Sequence, residues 1–281
     1  MKYTNKLNLP ESFITFSKGG DREPSPNKYS VTELLGSTRE ILLYRKHYKE
    51  VEKDICELIP ALFGTAVHKV LEENTPDSDK LLKEQSLYAV FGEDTVVGRA
   101  DLINLDTLSV EDYKTCSVSK ITNQDFDDWR KQGLAYAMLY FKMTGTILRH
   151  LKFYGLMKDW SKLKAASNAN YPQSPLYVYL YDVADSDFDY IEDYIVNKLK
   201  ELHTTTLPMC SDEEKWYTGT KYAVYKKAGD ARAAYVADTE EDAHNYITNK
   251  CNGAGEIQVR KGEYLKCLHY CDVCKFCEKE K

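Results

Sequence analysis

No apolar run in the chain approaches the ~18 residues that a membrane span needs. The opening stretch "MKYTNKLNLPESFITF" has no apolar centre of a secretory leader. Neither a membrane segment nor a signal peptide is expected, so the expected location is cytoplasmic. Repeats and low-complexity tracts are also missing, which argues against a solenoid or a fibrous chain. A basic excess is missing too: 38 Lys and Arg face 44 Asp and Glu, a net charge of −6. That balance excludes a simple basic nucleic-acid binder. Acids gathered around bound cations would contribute to it. Three local basic segments remain, "RKHYKEVEK" (45–53), "WRKQ" (129–132) and "KDWSKLK" (158–164). Each is either a phosphate contact or a solvated face.

The chain of 281 residues is 43% hydrophobic and 29% charged. This is enough for one large globular domain, or one domain with an appendage. Its 22 tyrosines suit half-buried strands and amphipathic surfaces. Eight cysteines are present, and Cys267, Cys271, Cys274 and Cys277 fall within the eleven residues 267–277. In an intracellular chain such a cluster points to metal rather than to disulfides.

Residues 1–29, with "GGDREPSPNK", read as an irregular lead-in. The spacing in "SVTELLGSTREILLYRKHY" (30–48) predicts a helix capped by Ser30 or Thr32. A second helical stretch covers 55–73, its regular part starting near Pro60. Three strands follow over 86–116, "SLYAVFG", "TVVGRADLINL" and "SVEDYKT". A long helix (125–145) closes on Gly145. Two more strands and a helix over 186–203 complete a mixed α/β core. Beyond "TLPMC" (206–210) a hairpin, a helix beginning at Thr239 and a further strand lead into the cysteine-rich tail.

Acids are rare inside strands, yet this chain places Asp101, Glu111 and Asp112 there. Strand alternation puts Asp112 and Lys114 on one face and Tyr113 on the other. His68 and Glu72 lie one helical turn apart, and so do Gln132 and Tyr136. Carboxylates on neighbouring strands suit a hard divalent cation. The Tyr113 carbonyl and His68 are further candidate ligands. Lys114 would orient an attacking water or stabilise charge growing on a phosphate. Each piece recurs by chance; the order, spacing and element types together do not.

With those residues in place, "GTAVHKVLE", "GRAD", "EDYKT" and "QGLAY" resemble the PD-(D/E)XK nuclease superfamily in its RecB-like branch. That branch includes CRISPR-associated and phage-encoded exonucleases. The resemblance implies a restriction-endonuclease-like α/β fold, with a mixed central sheet flanked by helices. It implies a nuclease core in 1–204 and a small α+β appendage with a Cys-rich tail in 205–281. Carried over by position, His68, Asp101, Asp112 and the Tyr113 carbonyl hold Mg²⁺ or Mn²⁺. Lys114 is the catalytic lysine, Gln132 orients the site or contacts DNA, Tyr136 partners Gln132, and Glu72 is an accessory acid. Glu111 should face away from Asp112.

Relatives with an iron–sulfur cluster take one cysteine from before the helix histidine; "LLGSTREILLY" has none, and Cys56 lies too close to His68. Phage-type members have an "LPxC" segment and a C-x3-C-x5-C tail. That resemblance suggests Cys210, Cys267, Cys271 and Cys277 as ligands of a 4Fe–4S cluster or Zn²⁺. The rival set is local and replaces Cys210 with Cys274. The expected function is a metal-dependent DNA nuclease, an exonuclease in recombination, repair or end processing. The expected partners are single-stranded or duplex DNA ends and recombination or replication proteins. A non-catalytic DNA-binding or assembly module and an RNA-directed nuclease are the alternatives.

Overall fold

The lead-in expected to be irregular carries regular structure. The computed structural model describes residues 1–204, 206–227 and 229–277. In it, strand β1 (Lys2–Thr4), helix α1 (Glu11–Gly19) and strand β2 (Lys28–Ser30) precede the first expected helix. Three-residue strands carry no readable period. β1 exists through parallel pairing with β3 (Glu52–Asp54), in the register Lys2↔Glu52. Helix α1 starts after Pro10, with Glu11 in its first turn and Lys18 in its last, both matched to the helix dipole.

The single helix expected over 30–48 is two. Ser30 caps α2 (Val31–Leu34): its hydroxyl accepts from Glu33 N, and the Glu33 carboxylate accepts from Ser30 N. Ser37 then caps α3 (Thr38–His47) by accepting from Glu40 N. A 3-10 turn at Ile55–Leu58 leads into α4 (Ile59–Asn74), which holds Pro60 in its first turn. Then come β4 (Leu81–Phe91), β5 (Asp94–Asn104) and β6 (Ser109–Cys116). Helices α5 (Val118–Thr122) and α6 (Asp127–Thr144) follow, and α6 ends at Gly145 with φ +74°. Strand β7 (His150–Met157), α7 (Lys162–Ser167), β8 (Leu176–Asp182) and α8 (Asp185–Leu202) finish the first unit, Met1–Leu207.

Its sheet has the order β2-β5-β6-β7-β8, with β4 also paired to β5. Pairs β2–β5 and β6–β7 are parallel; β4–β5, β5–β6 and β7–β8 are antiparallel. The sheet is central and mixed and helices flank it, the α/β architecture expected from the sequence. Helix α6 buries residues on every side, among them Trp129, Leu134, Met138 and Leu139. Such a helix belongs inside a core. It covers the sheet face that carries Leu151 and Phe153, and α8 packs on it in turn. Helix α4 lies on the opposite face, beside Tyr113 and Thr115.

The β5–β6 ladder is short. It runs from Asn104↔Ser109 to Leu102↔Glu111. Beyond that point the two strands have no ladder between them.

The second unit, Pro208–Lys281, has a three-stranded antiparallel sheet in the order β10-β9-β11. Its strands are β9 (Lys221–Tyr225), β10 (Tyr235–Ala237) and β11 (Glu256–Arg260). Helix α9 (Glu240–Lys250), capped by Thr239, packs on it around Val224, Ala237, Ala243 and Ile247. Short helices α10 (Leu265–His269) and α11 (Cys274–Cys277) follow. Among the described residues, no helix is long and apolar enough to cross a membrane.

Candidate active site

Where the β5–β6 ladder stops, a side chain takes over. The Tyr113 backbone N–H donates to Asp101 Oδ2 at 2.8 Å. The other Asp101 oxygen lies 3.2 Å from His68 Nδ1, delivered by α4. His68 also reaches the Tyr113 carbonyl. The hydrogen bond to Asp101 holds the His68 pKa above its ordinary value, against the opposing effect of burial.

Asp112 and Lys114 face α6, because Asp112 pairs with Phe153 and Lys114 with Gly155 in the β6–β7 register. Tyr113 points to the α4 side, where its ring stacks on Tyr154 at 5.6 Å. Asp112 is 2% exposed. Lys114 Nζ lies 2.7 Å from Asp112 Oδ2. The contact is a buried ion pair. Burial pushes the Asp112 pKa up to about 6; Asp101 adds to the rise and Lys114 opposes it.

A polar chain leads back from the lysine into the core. Lys114 Nζ donates to Gln132 Oε1 at 2.8 Å. Gln132 Nε2 donates to the Tyr136 hydroxyl at 2.8 Å. Gln132 and Tyr136 are both buried, so neither can move freely. The Tyr136 ring lies against Gly98 of "GRAD", where a Cβ would sit 2.8 Å from Tyr136 Cε1. A glycine is required there for the strand and ring to approach so closely.

Glu111 faces the other way, and it is buried rather than solvated. It accepts from Ser109, Tyr154, Asn104 and Lys152 at 2.8–3.3 Å. Burial raises its pKa, but the hydrogen bonds outweigh that and leave it below the usual carboxylate range. Glu72 borders the site on α4 and pairs with Lys69 at 3.5 Å.

One acid had no motif to announce it. Glu84 of β4 opposes Asp101 and lies, with one carboxylate oxygen, within 4.8 Å of donor atoms of His68 and Asp101. Only the hairpin register, Lys83↔Leu102 and Gln85↔Ala100, could have revealed it. Burial raises its pKa, opposed by Arg99. An imidazole and several carboxylates are the donor chemistry of a Mg²⁺ or Mn²⁺ site.

In two of the three basic segments, 45–53 and 129–132, charged side chains are engaged at home. Arg45 pairs with Glu33 and donates to the carbonyls of Ser25 and Lys28. Arg130 and Lys131 both pair with Asp127. In the second unit, Cys267 lies on α10, Cys274 and Cys277 open and close α11, and Cys271 sits in the turn between them. Cys210 lies in the loop after Met209. All five are half-buried.

No protein-family model matches the chain, and no curated protein matches it. Solved structures do. The crystal structure of SSO0001 aligns with a TM-score of 0.50 at 17% identity, covering 73% of this chain and 89% of that one. This likeness is one of fold. An alkaline exonuclease from Laribacter hongkongensis aligns at TM-score 0.34 and 11% identity, over 63% of this chain and 88% of its own. A phage-related exonuclease from Haemophilus somnus aligns at 0.31 and 11%, over 68% and 79%.

Proposed function

We propose that the first unit is a Mg²⁺- or Mn²⁺-dependent deoxyribonuclease that cleaves phosphodiester bonds at single-stranded or duplex DNA ends, in recombination, repair or end processing. The observation that carries it is Asp112. This carboxylate is 2% exposed and pairs with Lys114 at 2.7 Å. The neighbouring Asp101 carboxylate, 3.2 Å from His68, adds a second acid whose charge raises the Asp112 pKa, which is the donor set a divalent cation takes. His68, Asp101, Asp112 and the Tyr113 carbonyl would hold the ion. When bound, the ion supplies Lewis acidity to a phosphate oxygen and a lowered pKa to water.

The protein's own side chains have separate tasks. Lys114 offers its ammonium to the charge that develops on the phosphate oxygens. Gln132 fixes that ammonium through its amide oxygen, and Tyr136 accepts from the amide nitrogen so that the side chain cannot flip. Asp101 ties the strand gap shut and turns its second oxygen to His68. Cys210, Cys267, Cys271 and Cys277, or the set with Cys274 in place of Cys210, would hold a 4Fe–4S cluster or Zn²⁺ that pins the second unit together.

The test uses end-labelled and circular DNA, single- and double-stranded, and matching RNA, with Mg²⁺ or Mn²⁺. Lys114→Ala and Asp112→Ala should each lower cleavage by about 10²-fold or more while DNA binding persists. Binding without cleavage by the wild type under either metal would instead favour a non-catalytic module. Preferential cleavage of RNA would redirect the assignment.

A further inference from the structure

Strands β7 and β8 are antiparallel neighbours paired up to Leu156↔Leu176, yet the eighteen residues 158–175 join them. About two to five residues suffice for such a turn, and a connection this long inside a compact unit is commonly functional. This one is braced by its own hydrogen bonds. Trp160 Nε1 donates to the Pro172 carbonyl at 2.7 Å, and Ser161 N donates to the Tyr171 hydroxyl at 2.9 Å. Ser161 caps α7 by accepting from Lys164 N, and Met157 N donates to the Pro175 carbonyl at 2.9 Å. The loop is also tied to the strand of the candidate site. Lys158 N donates to the Cys116 carbonyl at 3.0 Å, and Val118 N donates to Asp159 Oδ1 at 2.8 Å.

Charge sets this loop apart from the chain. Residues 158–175 hold three lysines and one acid, Asp159, in a chain of net charge −6. Lys158, Lys162 and Lys164 are all exposed, and among the described residues none of them has an ion-pair partner. Cations elsewhere in this unit are paired: Arg99 with Glu84, Lys120 with Asp128, Arg130 and Lys131 with Asp127. Position adds to charge. The part of β6 that has left the β5 ladder, residues 112–116, carries Asp112 and Lys114 and ends at Cys116. Strand β7 runs parallel to it and ends level with it, Cys116↔Met157, so the loop leaves from that same end. Cys116 lies two residues, about 7 Å, beyond Lys114. That is the rise of about two nucleotides of one strand.

We infer that Lys158, Lys162 and Lys164 bind backbone phosphates of a nucleic-acid strand, on the Cys116 side of the phosphate that Lys114 faces. The inference rests on the nuclease reading above. Ammonium groups act on phosphates as point charges. A loop already braced by its own hydrogen bonds has less to order on binding. Such contacts fix the register of the strand and do not read its bases.

The experiment is fluorescence anisotropy of the full-length, metal-free chain with a labelled single strand and a labelled duplex, across salt concentrations. The triple variant Lys158→Gln, Lys162→Gln, Lys164→Gln should bind at least about tenfold more weakly at about 0.1 M salt. Its slope of log affinity against log salt should be shallower by about 2 on the single strand and about 3 on the duplex, since each lost contact removes ~0.7 or ~0.9. Arginine at the same three positions should keep the slope. A charge-matched control at exposed lysines, Lys18→Gln with Lys80→Gln and Lys200→Gln, should leave it unchanged. With Mg²⁺ added, the loop variant should show a raised KM and an unchanged kcat, because these lysines touch no reacting atom. A wild-type slope in the loop variant, an equal loss of slope in the control, or a lowered kcat with an unchanged KM overturns the inference while a cleaving wild type keeps the nuclease reading. A wild type that binds with the expected slope but cleaves under neither Mg²⁺ nor Mn²⁺ removes the nuclease reading and leaves the phosphate-binding loop.

Discussion

Replacing Gly98 by Ala adds one carbon to β5, directly beneath the Tyr136 ring. The new Cβ would lie 2.8 Å from Cε1 and 3.0 Å from Cδ1 of that ring, with Val31 Cγ2 at 3.4 Å behind it. Atoms do not tolerate such approaches, so strand or ring must shift. The ring is 4% exposed and belongs to a helix buried on all sides, so the shift is resisted. Overpacking of this kind costs about 1–3 kcal/mol. The effect on chemistry should be larger than that on stability. The Tyr136 hydroxyl fixes Gln132, and Gln132 fixes Lys114, each through one 2.8 Å hydrogen bond. A displacement of the order of 1 Å at the lysine would lower the rate by about 10²-fold. Urea unfolding measures the first quantity. Mn²⁺-dependent cleavage of an end-labelled oligonucleotide, at a temperature where the variant is folded, measures the second. Adding Tyr136→Leu to Gly98→Ala should recover part of the stability without recovering cleavage, because the clash leaves with the ring and so does the hydroxyl. A Gly98→Ala protein with wild-type stability and wild-type cleavage would refute the reasoning.

Other substitutions probe separate parts. Burial lifts the Asp112 pKa from its ordinary 3.8 to about 6 in the metal-free protein. The folded state therefore keeps this proton up to about pH 6, and the unfolded state releases it near 3.8. The group's contribution is present below the lower value and is lost as pH rises through the higher one. Asp112→Asn, which cannot ionise, should match the wild type near pH 4 and exceed it by roughly 3 kcal/mol at pH 7 in EDTA; equal unfolding midpoints at both pH values would contradict this. Glu111→Ala strands Tyr154, Ser109 and Lys152 and should cost about 3 kcal/mol by urea unfolding, with a loss under 1 kcal/mol counting against the buried network. Cys210→Ala should lower bound iron and sulfide, or bound zinc, in anaerobically purified protein; unchanged metal content points to the set containing Cys274.

The parts legible beforehand were those written in short-range order. Strand alternation in "EDYK" orders Asp112, Tyr113 and Lys114, and helical spacing joins Gln132 to Tyr136. The caps of α2 and α3 were legible too, since "SVTE" and "STRE" are two Ser-x-x-Glu signals in succession. Ser30 is the cap expected from the sequence, whereas the second signal at Ser37 is hidden because the apolar spacing runs through both helices and reads as one. Glu84 and β1 were not legible, for one reason. Glu84 reaches Asp101 only through the β4–β5 register, and β1 forms only against β3. Pairings of that kind depend on the folded chain and leave no local pattern. The site of the Arg45 charge is similar: its partners Glu33, Ser25 and Lys28 come together only once α2 and α3 are separate.

The gap between β5 and β6 has a consequence for observation. Most strand amides are shielded by a neighbouring strand, but the Tyr113 N–H is shielded by the Asp101 carboxylate. Its protection from solvent exchange thus tracks the charge on one side chain. Drawing the Asp101 oxygen toward a cation would change the exchange rate and nitrogen chemical shift of this amide while the sheet around it stays as it was. Tyr113 is in this sense a spectroscopic gauge built into the backbone, reporting the state of the acidic corner without a label and without a substrate.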